Sequence, residues 1–431
     1  MELEGDSIAE FAAALSEEVI RRQVWPKQAD RVFVTAYVDG ECGPKDRTPD
    51  TLLLKISAEE AGQLRSELQR RGGGAPTPAV NVVSERAQLT PGQAPSGPPG
   101  ASRINWLRIF YATNRKPTGQ TVAATAFGTD DAETISWGSV DVSIPHEHKM
   151  GQLESPAIWR LEWEDPTKHI ALAPRLNPLS PERWRQEVLS RATAMGRPGV
   201  LVFIHGYNVS FANAARRTAQ FAYDTAFKGP TVLFSWPSDG NLIPYMRDEA
   251  DAFAAKRFMA DVLKTVTTLA PGVPVYVVAH SMGNRVMLHG YAELLRRNPD
   301  AHQAIRQVVM AAPDVGQREF KQVFKDFAGT KPRYTLYASD QDVPVNVSEW
   351  LHGDRRLGNG GANTAVFVGV DSIDASAVTR EFFGLSHSYF GESDTLLSDL
   401  FALIHQGLPP DQRHRLKPTD GKQGRFWSFA P

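Results

Sequence analysis

The chain has 431 residues, 42% of them hydrophobic and 22% charged, with a formal net charge of -2 at pH 7. That composition is ordinary for a globular protein, with length for a large core and more than one domain, and the near-balanced charge gives no global pull toward nucleic acid or an anionic membrane. Cys42 is the one cysteine, which excludes an intrachain disulfide, and no apolar run reaches the length of a bilayer span.

The chain opens on "MELEGDSIAEF", which is acidic and lacks the basic-then-apolar order of a secretion leader. A cytoplasmic location is the resulting expectation. "SIAEFAAALSEEVIRR" carries apolar residues at helical spacing, and "RVFVTAYV" and "TLLLKI" read as strands. "SAEEAGQLRSELQRR" starts a helix with Ser57 and, three residues on, Glu60, the reciprocal pair of a capping box. Residues 1–71 therefore read as a small α+β module. It has no nucleophile, metal or phosphate motif, so its expected roles are accessory: recruitment, a lid, or self-association into a homo-oligomer. Residues 72–100, with "GGGAPTP" and "TPGQAPSGPPG", read as a Gly/Pro-rich linker.

From residue 101 the pattern changes. "INWLRIFYATNR" and "WGSVDVSIP" read as early strands. "GVLVFIHG" (strand), "FANAARRTAQFAYDTAF" (helix) and "TVLFSWPS" (strand) follow. A long helical stretch, "RDEADAFAAKRFMADVLKTVTTLA", leads to "VPVYVVAH". Then "RQVVMAAPDV", "RYTLYASDQD" and "AVFVGVDSID" read as three more strands, with "DQRHRLK" as part of a solvated tail. Alternating strands and helices with continuous apolar strands predict a mostly parallel sheet covered on both faces. Reactive groups in such sheets gather at the carboxyl ends of the strands. The domain expectation is 101–410 for this unit and 411–431 for a tail.

One strand end stands out. "VVAHSMGNRV" places Ser281 between an apolar strand and a helical segment, where a serine stands exposed on a sharp bend. The usual pattern has glycine two residues before the serine; here Ala279 takes that place. A serine hydroxyl needs a general base, and the base an orienting carboxylate. The acids at later strand ends are Asp314, Asp340 and Asp342. Of the late histidines, His387 in "FFGLSHSYF" sits in a loop between the last strand and the final helix. His352 is weaker, His405 falls within that helix, and His414 lies in the tail. Two backbone N–H groups must also face the developing oxyanion. Met282 follows the nucleophile, and Tyr207 follows His205-Gly206 at the end of another apolar strand. His205 reads as architectural. His146 and His148, flanking Glu147, suggest no metal, since no remote third ligand accompanies them.

Taken together, "FYATNR", "WGSVDVSIPHEHKMG", "WRLEW", "FIHGYNVSF", "FSWPS", "AHSMGNRV" and "HSYF" resemble a family of bacterial α/β hydrolases with no assigned substrate, over residues of about 104–404. The resemblance implies an α/β-hydrolase fold and a Ser–Asp–His triad. In the family pattern Asp342 matches the triad acid, while the broader superfamily pattern fits Asp340. The implied chemistry is carboxylic ester hydrolysis: Ser281 attacks, His387 moves the proton, Asp342 holds the imidazole, and Tyr207 and Met282 bind the oxyanion. His205, His280 and Trp236 are expected near the substrate pocket. The expected partner is a small-molecule ester, with no cofactor, metal, nucleic acid or membrane span. Amide or thioester hydrolysis and acyl transfer are chemical neighbours, and a non-catalytic scaffold on the same fold is the alternative.

Overall fold

The structure, a computed structural model, describes residues 33–38, 51–56, 104–154, 165–194, 199–238, 251–327, 329–340, 355–378 and 393–430. The chain divides into two compact units: Met1–Asn105 with Glu154–His169, and Trp106–Leu153 with Ile170–Pro431. In the first, β1 (Phe33–Val38) and β2 (Thr51–Ile56) form a parallel pair in register from Phe33 opposite Thr51 to Val38 opposite Ile56. The helices expected in the module and the linker at 72–100 lie outside the described residues.

The second unit is built on one eleven-stranded sheet. Its strands are β3 (Ile104–Pro117), β4 (Phe127–Pro145), β5 (Asn177–Pro178), β6 (Val200–Ile204), β7 (Thr231–Ser235), β8 (Val275–His280), β9 (Ile305–Ala311), β10 (Arg333–Ala338), β11 (Val370–Asp374), β12 (Leu416–Gly421) and β13 (Gly424–Phe429). Their spatial order is β12-β13-β11-β10-β9-β8-β6-β7-β3-β4-β5. From β13 across to β3 every neighbouring pair is parallel. The strand composition explains this: "VLVFI" of β6 and "TVLFS" of β7 are buried at every position, as strands covered on both faces must be.

Two helical layers supply the cover. On one face α1 (Pro181–Ala194), α3 (Lys256–Thr267), α4 (Gly283–Arg297) and α5 (Gln317–Phe324) pack on Val202, Ile204, Phe234, Val277 and Ala279. On the other α2 (Phe211–Asp224) and α6 (Ser393–Phe401) pack on Leu201, Phe203, Leu233 and Val278. Alternate residues of each strand thus feed opposite cores, as the two-residue strand period requires. The chain passes from β6 to β7 on one side and returns to β8 on the other. The crevice between the carboxyl ends of β6 and β8 is therefore the topological switch point, where open α/β sheets place their ligands.

Two expectations are corrected. "AVFVGVDSID" is a strand only over Val370–Asp374, because Gly369 has φ +84° and turns the chain, leaving Val368 97% exposed. Residues 411–431 are not a tail. β12 and β13 form an antiparallel hairpin that adds to the sheet through β11, burying Phe426 and Phe429. Arg413, read as part of a solvated run, is buried. Its Nη1 donates to Asp399 Oδ2 of α6 at 3.0 Å and to the Tyr337 hydroxyl at 3.0 Å, and Tyr337 donates to the same carboxylate oxygen at 2.6 Å. Burial raises the Asp399 carboxyl above its ordinary value against the pull of Arg413 and the Tyr337 hydroxyl.

Removing one partner of such a pair strands the other in the interior. Arg413→Leu is expected to lower unfolding free energy at pH 7 by about 3 kcal/mol, since an uncompensated buried carboxylate remains. Arg413→Leu combined with Asp399→Leu should recover much of that loss. Urea unfolding of the wild type and both variants checks the order; equal stabilities for the single variant and the wild type would contradict it.

Candidate functional site

Ser281 follows β8 directly, and its backbone has φ +49°, the left-handed region that a residue with a Cβ enters at a cost of about 1–2 kcal/mol. The bend is held from several sides. Ser281 N–H donates to Ala311 O of β9 at 2.9 Å, and Asp314 N–H donates to Ser281 O at 3.2 Å. Buried Asn284 donates its amide to Ala279 O at 3.1 Å, Ser281 O at 3.0 Å and Ala311 O at 3.2 Å. Helix α4 starts at Gly283, immediately after Met282. A Cβ at Gly283 would run into the carbonyl oxygen of His205, so the small residue two positions after the nucleophile is what lets the helix sit against the end of β6. Ala279, in the other small position, pairs with Ile204 and is buried without distorting the register.

Opposite lies the loop after β6. A Cβ at Gly206 would stand 2.9 Å from Ser281 Cβ and 2.9 Å from His280 Nδ1. The His-Gly loop and the serine bend are therefore in contact across the switch point, and glycine is required there. Asn208 N–H donates to Ser238 Oγ at 2.8 Å, and Val209 O accepts from Arg115 Nη2 at 2.6 Å. Trp236 is fully buried beneath the loop, stacked on the His205 ring at 5.3 Å and donating its indole N–H to His205 O at 2.9 Å. His205 and His280 are both buried. Burial, reinforced by nearby Arg115, holds His205 well below the ordinary histidine range. His280 is lowered to about 3 by burial and by Arg217. Both rings are neutral at physiological pH.

Ser281, Met282, Gly206, Tyr207, His205, His280 and Trp236 thus come together at one point of the sheet. Asp340 lies two residues past the end of β10, two strands away on the same edge; it is exposed, and its N–H donates to Ser376 Oγ at 2.9 Å. Asp342 and His387 lie outside the described residues, as does His352. Asp314 is buried beside Arg356 (Oδ1 to Nε 3.3 Å), next to the serine bend. His148 is pinned to buried Asp224 at 2.7 Å, and His405 to Thr225 O at 2.7 Å, each well occupied elsewhere. Among the described residues no cluster of His, Cys, Asp or Glu has the geometry of a metal site, and no helix is long and apolar enough to cross a membrane. Sequence reasoning missed Thr113 and Ser235 beneath the loop and Asn284 behind the serine bend. Their signal lay in "YATNR", "FSWPS" and "AHSMGNRV", polar residues that close apolar strands or follow them.

A parallel sheet with a left-handed serine at its switch point and a glycine loop packed on it defines an α/β hydrolase. The chain belongs to the family of alpha/beta hydrolases of unknown function (DUF900), whose profile matches residues 182–406. An uncharacterized protein, alr1448, of Nostoc sp. (strain PCC 7120) is 32% identical over 66 residues, which is 15% of this chain. The chain spans 17% of the length of that curated relative. Among solved structures, a candidate cell surface hydrolase of Lactobacillus plantarum WCFS1 is 10% identical, with TM-score 0.33, over 50% of this chain and 94% of that one. Lipase B of Aspergillus fumigatus is 14% identical, with TM-score 0.24, over 33% and 38% of the two chains. Both likenesses are too distant to bear on chemistry.

Two consequences are measurable. Glycine meets no steric penalty at φ +49°, so Ser281→Gly should raise stability by about 0.5–1 kcal/mol, the left-handed cost less glycine's greater entropy in the unfolded chain. Chemical denaturation would show it; a loss of stability would mean the bend is not strained.

The second concerns acid. A histidine with a depressed native pKa takes up a proton in the unfolded state first, so stability falls as pH drops below about 6.5, by about 1 kcal/mol per pH unit for each of His205 and His280. For His280 the loss continues down to about 3. A folded His280→Gln variant should show a shallower fall between pH 6.5 and 5 than the wild type; an unchanged slope would place the effect elsewhere.

Proposed function

We propose that this hydrolase cleaves carboxylic esters through an acyl-enzyme on Ser281. The observation that carries the reading is the left-handed φ of +49° at a half-buried serine, packed against a loop whose glycine is sterically obligatory. Strain of this kind persists where the surrounding structure enforces it, and it clusters at reacting groups.

In the proposed reaction Ser281 Oγ bonds to the acyl carbon as its proton passes to His387. The carbonyl oxygen becomes an oxyanion and accepts hydrogen bonds from the N–H groups of Tyr207 and Met282. Met282 is the residue that leads into α4, so the positive end of that helix adds to the stabilisation. The bond to the alkoxy oxygen then breaks, and His387 returns the proton to the leaving alcohol. Water repeats the sequence and releases the acid. Asp342 holds the imidazole tautomer in this scheme; Asp340, just past the end of β10, is the alternative acid. The serine carries the intermediate, so the scheme calls on no cofactor. Residues 1–71 are an accessory module on the 72–100 linker, and the protein works in the cytoplasm.

Ser281→Ala should remove nearly all ester turnover while the protein stays folded, and it should abolish labelling by a fluorophosphonate probe. Asp342→Asn should cost up to ~10⁴-fold in kcat and far more than Asp340→Asn, because the wrong imidazole tautomer cannot take the serine proton. A chain-length series of p-nitrophenyl esters, with matched amides and thioesters and an added alcohol acceptor, reads both the substrate class and acyl transfer. Turnover in Ser281→Ala at even a tenth of wild type would overturn the reading, and the reverse order of the aspartate variants would exchange their roles.

A further inference from the structure

The reaction above makes no use of Arg115, Ser235 or the His205 ring, yet all three are buried directly under the loop that bears Tyr207. A buried guanidinium is costly unless its N–H groups are bonded. Arg115 Nε donates to Ser235 Oγ at 2.9 Å, Nη1 to Gly128 O at 3.1 Å and Nη2 to Val209 O at 2.6 Å. With its oxygen accepting from Arg115, Ser235 directs its own proton to His205 Nε2, 3.2 Å away. Nη2 of Arg115 also stands 3.5 Å from that nitrogen. The other ring nitrogen, Nδ1, lies 2.8 Å from Gly206 O. A carbonyl can only accept, so Nδ1 carries the proton and Nε2 is the acceptor. Every bond in the sequence Arg115, Ser235, His205, Gly206 therefore runs in one direction.

The last acceptor matters most. Gly206 C=O and Tyr207 N–H belong to a single peptide unit. The described residues contain no cis peptide, so the two groups point opposite ways. Drawing the carbonyl down onto His205 turns the N–H up and away from the buried ring. There is a reason this peptide needs such a hold. Contact with Ser281 demands glycine at 206, and glycine tolerates either orientation of the peptide that follows it. The residue that permits the close approach also permits the flip that would spoil it.

We propose that His205, Ser235 and Arg115 are positioning residues that lock the Gly206–Tyr207 peptide with its N–H directed at the oxyanion. The proposal rests on the serine-hydrolase reading given above. Burial and Arg115 hold His205 neutral, and the Gly206 carbonyl sets which ring nitrogen keeps the proton.

The test compares wild type, His205→Ala, His205→Asn and Ser235→Ala. The asparagine amide can donate to Gly206 O from about the place of Nδ1, without the rest of the relay. The readouts are kcat and KM on a p-nitrophenyl ester, the rate of labelling by a fluorophosphonate, the affinity for an alkyl trifluoromethyl ketone, which forms an oxyanion adduct, and the affinity for the unfluorinated ketone, which does not. His205→Ala is expected to lower kcat and labelling rate ~10–100-fold, less than the loss of a donor outright, with KM within about twofold. Trifluoromethyl ketone affinity should fall in step and that of the plain ketone should hold. His205→Asn should recover most of the loss, and Ser235→Ala should fall between. If His205→Ala fails to fold, the other two variants carry the same comparison. A labelled wild type with unaltered kcat in the variants overturns the relay alone. So does a loss shared equally by both ketones, or one that asparagine does not recover. A wild type that takes no label at Ser281 overturns the hydrolase reading and the relay with it.

Discussion

The parallel pairing of β6 with β8 brings two separate loops to one place. Ile204 lies opposite Ala279, so the residues that follow, His205-Gly206 and His280-Ser281, leave the sheet side by side. Nothing else in the candidate site would be in reach without this register. A shift by one residue would carry a side chain of the opposite face to the bend and separate Gly206 from Ser281. The two glycines answer the same crowding from opposite directions: Gly206 lets the loop approach the serine, and Gly283 lets helix α4 approach the β6 carbonyls. The apolar strands below, buried on both faces, fix the register that makes the crowding unavoidable.

Several buried polar groups at this edge are tied to backbone next to the site. Thr113 donates to Ser235 O at 2.6 Å, Trp236 to His205 O and Asn284 to three carbonyls around the bend. On the far side, the Asp340 N–H is held by Ser376, whose hydroxyl in turn donates to Asp374 at 2.5 Å. The carboxyl edge is thus a framework of bonded main chain across several strands, rigid enough to present groups borne on loops.

The parts legible in the sequence are those with a local cause. β6, β7 and β8 announce themselves by continuous apolar runs, and the serine bend by its small neighbours. What the sequence hid is long-range. Arg115 and Ser235 are 120 positions apart, and no periodicity links them. The C-terminal hairpin was obscured because "LKPTDG" and "GRFWSF" interleave charge, proline and glycine with their apolar residues. Arg413 looked solvated among its charged neighbours because its partners, Asp399 and Tyr337, belong to other elements. The "VFV" before Gly369 misled in the opposite sense, since Val368 sits on the turn at Gly369 and the strand starts only at Val370.

The hairpin has a bearing on assembly. An open sheet of this size ends in two rows of backbone groups that invite another chain to continue it. Both terminal strands resist. β5 is two residues long and includes Pro178, and β12 carries Pro418 with exposed Lys417 and Asp420 beside it. Proline lacks the N–H a neighbouring strand would need, and the charges make dry pairing costly. Among the described residues, the two terminal strands of the large sheet thus present proline and charge, not a long apolar edge, to any strand that would extend it.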